Sequence, residues 1–259
     1  MASFGVTVGA SQAYAGDDGT VTARLLSFGG MCVNCELSGR KLSESRFLGA
    51  NFSGASMVGT DLEGASFLGA NFSGADLARA NLKGATLFGS NFVNADFTDA
   101  NLSGVEAHGV DLLGANLTRA NLKGANMVGA SLLRVSGRDT QFTGAELLGA
   151  VMTESHFENA SFRSASLAGA SLASSVFTGA DFREASLERT NLNGADLSAA
   201  KGLTQDQLDV ACGNAATRLP AGLTVHTCKG DSHVVILRST PGMHGVTPHV
   251  VDMEIDDDR

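Results

Sequence analysis

One spacing governs most of this chain: a large apolar residue recurs at every fifth position from Leu37 to Leu197, without a slip in phase. Of these 33 centres, 17 are Leu, 11 Phe and 3 Met, and the exceptions are Ala107 and Gly137. Two residues before the centres, 21 of the 33 are Ala, and the residue between is mostly Asn, Asp or Ser. Ala70-Asn71-Phe72-Ser73-Gly74 and Ala75-Asp76-Leu77-Ala78-Arg79 show the unit. Neither regular element accepts a period of five. On a helix at about 100° per residue successive centres march about 140° around the axis, and on a flat strand they alternate between faces. The chain must therefore bend once per repeat and coil, each coil stacking on the last through backbone pairing so that every centre points inward. Small residues two before each centre leave room for the bends. Burying each centre contributes roughly 1.5–3 kcal/mol before entropy costs, so core packing accounts for the repetition without any ligand. Ala107 and Gly137 are expected to leave slack in that core.

No run approaches the roughly 18 uninterrupted apolar residues of a membrane-spanning helix, because Gly, Ser, Asn or Asp intervenes every few positions. A net charge of −9 over 259 residues argues against a protein that grips nucleic acid by neutralising phosphates. The six histidines are scattered at 108, 156, 226, 233, 244 and 249, none with a partner at a recognisable spacing. There is no P-loop, no GxSxG and no glycine fingerprint after a strand, and the many glycines belong to the repeat bends. The sequence thus predicts no enzyme, no cofactor and no metal site, and His244 and His249 read as exposed residues of a tail.

A stacked rod leaves an unpaired edge and an open core at each end, so it needs caps. Thr204-Gln205-Asp206-Gln207 reads as a capping box with Leu203 and Leu208 as a hydrophobic staple, predicting a short helix from about 204 to 211 with Gly213 as terminator. Leu219-Pro220-Ala221-Gly222-Leu223 reads as a turn, bracketed by Cys212 and Cys228. Thr20 to Leu26 is expected to form a small element before Cys32-Val33-Asn34-Cys35. The two cysteine pairs fit a structural disulfide in each cap, free structural thiols or a redox pair; one four-cysteine zinc site is disfavoured because the rod separates the pairs. Ala13-Tyr14-Ala15 resembles a signal-peptidase site, although the upstream stretch lacks Lys and Arg. The organisation is a leader and N-terminal cap over 1–34, repeats over 35–199, a helical cap over 200–228, and a β-rich segment with a poorly ordered acidic tail over 229–259.

The run Ala-(Asn/Asp)-(Leu/Phe)-X-X, unbroken by any insertion between 35 and 199, resembles the pentapeptide-repeat family. The resemblance implies an all-β solenoid: a right-handed quadrilateral β-helix of about eight coils, four repeats per coil, with small helical or irregular caps. At roughly 4.8 Å between paired strands such a rod is on the order of 38 Å long. The CxxC before the repeats and the Cys-Gly near the closing helix are similar to exported proteobacterial members, and favour a periplasmic or exported address over a cytoplasmic one.

With four repeats to a coil, side chains at i and i+20 stack as columns on four faces. On face one, the residues after the centres are Leu48, Leu68, Phe88, His108, Val128, Leu148 and Ala168; face two carries Val93, Leu113 and Leu133 in its middle. Face three reads Val58, Ala78, Thr98, Thr118 and Arg138, and face four Glu63, Lys83, Ser103, Lys123, Thr143, Arg163 and Arg183. Hydrophobicity is concentrated on one side, the mark of a protein contact site. Leu48, Leu68, Phe88, Val128 and Leu148, with Leu113 and Leu133, are the candidate surface for a protein partner or self-association. Arg79, Asp99, Arg119 and Asp139 form a column of alternating sign, expected to support register. The reading is a non-catalytic structural or interaction module. The alternative, implied by the resemblance, is a DNA mimic acting on gyrase, which the net −4 from Glu36 to Lys201 supports only weakly.

Overall fold

The computed structural model describes residues 26–28 and 30–228. The Ala13-Tyr14-Ala15 leader, all but Leu26 of the element expected from Thr20, Val234–Leu237, His244, His249 and the acidic tail lie outside the described residues. The described residues belong to one compact unit that ends at Cys228.

Each repeat consists of a bridging residue, an inward centre and a two-residue turn. In Asn51-Phe52-Ser53-Gly54-Ala55, the Phe52 N–H donates to the Asn71 carbonyl (2.7 Å), and the Asn71 N–H donates back to the Ala50 carbonyl (2.9 Å). The Ala55 N–H closes the turn onto the Phe52 carbonyl at 3.0 Å, with Gly54 at φ 65°. This is the geometry of a type II turn, whose third residue must be left-handed. Asn51 Oδ1 accepts the Ser53 N–H at 3.0 Å, an Asx turn that explains why Asn and Asp are favoured before the centre. The bend therefore lies in the two residues after each centre. The Ala two before the next centre serves instead as fully buried wall, as at Ala50, Ala55 and Ala65.

Where Ser or Thr replaces that Ala, the buried hydroxyl finds a partner in the previous coil. Thr60 Oγ1 donates to the Leu37 carbonyl at 2.9 Å, Ser155 Oγ to Leu132 at 2.7 Å and Thr190 Oγ1 to Leu167 at 2.9 Å. A hydroxyl is thus accommodated in the core without an orphaned donor.

Parallel pairing holds successive coils in a fixed register. Strands β1 (Leu26–Phe28), β2 (Arg46–Leu48) and β3 (Ser66–Leu68) pair in order, Phe28 with Leu48 and Leu48 with Leu68. Beyond them each face contributes one bridging residue per coil, in runs such as Asn51–Asn71–Asn91 and Asp61–Asn81–Asn101. A turn in every repeat leaves no room for a longer strand.

At the C-terminal end the interval lengthens, Asn191 bridging to Cys212 and Asp196 to Arg218, because helix α1 (Gln205–Asp209) is inserted. The capping box is formed: the Gln207 N–H donates to the Thr204 side chain while Gln207 Oε1 accepts the Thr204 N–H. Gln207 Nε2 also donates to the carbonyls of Phe182 (2.9 Å) and Ala185 (2.8 Å), and Leu208 is fully buried over the core. The helix is shorter than expected and Gly213 does not end it; Val210 is the C-cap. Gly213 belongs to β4 (Cys212–Gly213), because the chain must rejoin the ladder, and β4 pairs with β5 (His226–Thr227).

All four cysteines are in disulfides. Cys212–Cys228 closes β5 onto β4, and Cys32–Cys35 occupies a centre position and the following small-residue position, both packed on the core.

Inside, Phe52, Phe72 and Phe92 stack at 4.9 and 4.8 Å between ring centroids, and Phe142, Phe162 and Phe182 at 5.0 and 5.1 Å. The two non-consensus centres behave differently. A cavity of about 10 Å³, lined by apolar groups including Leu87, Phe97, Leu112 and Met127, lies beside Ala107, as expected. At Gly137 the expected slack is absent: a Cβ there would overlap Cδ1 and Cε1 of Phe157, whose ring fills the space.

Ala107→Val is expected to stabilise the rod by about 0.5–2 kcal/mol, since flexible Met127 can yield. Gly137→Ala is expected to destabilise it by about 1–3 kcal/mol. Denaturant unfolding of both variants checks the opposite signs. Removing the cap disulfide with Cys212→Ser and Cys228→Ser is expected to cost about 3 kcal/mol locally, from a loop of similar length. Hydrogen exchange should then quicken at the Leu192 and Leu197 amides, which donate to Cys212 and Arg218, and stay unchanged in the middle coils.

Candidate functional site

The ladders place the face-one column in line. The carbonyls of Leu68, Phe88, His108, Val128 and Leu148 each accept the N–H of a glycine in the preceding coil, at 2.8–3.1 Å. Leu48 and Leu148 are 49% and 48% exposed, and Leu68 and Phe88 39%. Val128 is half-buried, as are Leu113 and Leu133 on face two. His108 divides the column: its ring meets Phe88 edge-on with centroids 5.1 Å apart, and its Nε2 lies 3.3 Å from Glu106 Oε2.

The alternating charge column closes at one pair. Arg119 forks onto Asp99, with Nε to Oδ1 at 2.6 Å and Nη2 to Oδ2 at 2.7 Å, and this hydrogen bonding holds the Asp99 carboxyl below its usual range. Arg79 contributes only longer-range attraction, and Asp139 lies nearer Arg138 (3.6 Å). All four residues sit at the left-handed turn position, φ 58–61°. Further inter-coil ion pairs, not singled out from the sequence, are Lys83–Glu63 (3.1 Å), Arg134–Glu154 (2.8 Å) and Arg218–Asp196 (3.0 Å).

Face four carries a concavity of about 610 Å³, bounded by Lys123, Arg163, Arg183 and Lys201. The sequence column names three of these cations but not the way Asp181 gathers two of them. Arg183 Nε donates to Asp181 Oδ1 at 2.8 Å, and Arg163 Nε lies 4.0 Å from Oδ2. Hydrogen bonding from Arg183 holds the Asp181 carboxyl below its usual range against the cost of burial.

Among the described residues there is no cluster of His, Cys, Asp and Glu able to hold a metal ion. Nor is any helix there long and apolar enough to cross a membrane.

No curated protein matches the chain in sequence. Among solved structures it is similar to HetL, a pentapeptide repeat protein involved in heterocyst differentiation regulation in the cyanobacterium Nostoc sp. strain PCC 7120. Identity is 26%, TM-score 0.56, over 77% of this chain and 89% of HetL. QnrB1, a plasmid-mediated fluoroquinolone resistance protein, aligns at 20% identity and TM-score 0.34 over 73% of this chain and 93% of its own. A pentapeptide repeat protein of the Arabidopsis thaliana thylakoid lumen aligns at 32% identity and TM-score 0.23, over 46% of this chain and 66% of its own. The likeness to HetL implies a right-handed β-helix. The pentapeptide-repeat model matches in eight copies over residues 32–67, 65–104, 95–132, 138–172 and 160–198. With a five-residue unit matched across more than half of its length, the chain belongs to the pentapeptide-repeat family.

Proposed function

We propose that this protein is a non-catalytic interaction module whose apolar column on face one holds a protein partner or a second copy of the chain. The organisation we propose is a rod of about eight coils over 35–199, closed by caps at 1–34 and 200–228 and followed by 229–259. Members of the family are generally non-catalytic. The observation that carries the reading is the exposure of Leu48, Leu68, Phe88 and Leu148 in one register. Rows of apolar side chains left in water favour association. Backbone pairing already fixes their spacing at about 4.8 Å, so little conformational freedom is lost on docking.

The DNA-mimic alternative requires a continuous acidic surface. Face three carries Asp76, Asp96, Asp99, Asp139 and Glu158, but Arg79, Arg119 and Arg138 interrupt them, and Arg119 cancels Asp99 directly. The two disulfides support an exported address, since such bonds persist in oxidising compartments.

A Phe88→Ser, Leu148→Ser double variant tests the column. Both sites are exposed, so folding should be retained within about 1 kcal/mol. Sedimentation velocity and crosslinked pull-down are expected to show a lower oligomeric state or loss of the partner; an unchanged result in both overturns the proposal. Intact-mass measurement of native protein with and without thiol alkylation is expected to show no reactive thiol. Free thiols would remove the support for export and send the protein to a gyrase supercoiling assay.

A further inference from the structure

We propose that the C-terminal half of face four is a docking surface for an acidic, extended peptide segment of a protein partner, independent of the apolar column. Lys123, Arg163, Arg183 and Lys201 border the 610 Å³ depression, and hydroxyls of Thr143 and Ser161 line it. Lys123 and Lys201 make no ion pair among the described residues. Asp181, the sole carboxylate lining the depression, is gripped by Arg183 and approached by Arg163. It thus neutralises about one charge while bonding Arg183 and lying 4.0 Å from Arg163. Glu184, nearby, is turned to the Ser164 hydroxyl at 2.8 Å. On a chain of net charge −9 this is a local field of opposite sign, able to steer an acidic partner to one place. Arginine forks match carboxylates bidentately.

The dimensions select the partner. Lys123 to Lys201 spans four coil steps, on the order of 19 Å at about 4.8 Å per step. An extended peptide covers that length in roughly six residues and turns about three side chains to one side, matching the cations left over. A DNA duplex would bring about 11 phosphate charges over the same length, far more than four cations answer. The N-terminal half of face four lacks this excess, since Lys83 is tied to Glu63 at 3.1 Å and Asp61 stands beside them.

The test measures binding of a fluorescein-labelled octaglutamate peptide to the full chain by anisotropy, at rising salt. Binding is expected to weaken with salt and to fall about tenfold or more in a Lys123→Gln, Lys201→Gln variant. A Lys41→Gln, Lys83→Gln variant, also exposed on the same face, should bind as the parent does, and Asp181→Asn, by freeing two arginines, should bind more tightly. A short DNA duplex is expected to bind more weakly than the peptide. Absence of peptide binding at low salt, equal loss in both lysine variants, or preference for the duplex would overturn the proposal. Circular dichroism checks that each exposed substitution leaves the fold intact.

Discussion

The structure depends on closure of the backbone ladder once per coil. Each centre donates its N–H to the coil ahead and each bridging residue donates to the coil behind, as Phe52 does to Asn71 and Asn71 to Ala50. With the backbone so occupied, the coil cannot change length without breaking pairs on all four faces. Among the described residues the interval relaxes only at the C-terminal end, where Gln205–Asp209 is inserted between Asn191 and its bridge partner Cys212. Everything else is a consequence of that closure. The phenylalanines stack because their backbones are held one rung apart, and surface side chains form columns for the same reason.

Closure also sets what the turns cost. The second residue after each centre from Cys32 to Leu192 is left-handed, which glycine adopts freely. Non-glycine residues there carry a penalty on the order of 1 kcal/mol. Arg79, Asp99, Arg119, Arg134, Glu154 and Glu184 accept it, and several recover part of it by reaching the neighbouring coil, as Arg119 does to Asp99 and Arg134 to Glu154. Exposed pairs contribute little net stability, so the ladders ease the strain rather than add to stability. The surface is patterned by the same rule that shapes the backbone.

Much of the fold was legible because period five admits so few solutions. The capping box at Thr204 and Gln207 could be read as local chemistry, since its two partners lie within one turn of chain. What misled was anything that depends on the next coil. Gly137 looked like a gap, yet Phe157, one coil on, fills it. Gly213 looked like a helix stop, yet it lies in β4, with Cys212 beside it bridging back to Asn191.

The sequence by itself determined the inward positions, the columns that follow once four repeats close a coil, and the alternation of charge down face three. Each of these rests on spacing, which the chain carries as a count. Tertiary structure alone decided which columns stay exposed, which opposite charges meet, and how Asp181 draws Arg163 and Arg183 around a depression on face four. Those outcomes depend on side-chain reach and rotamer across rungs about 4.8 Å apart, distances that a linear count does not contain.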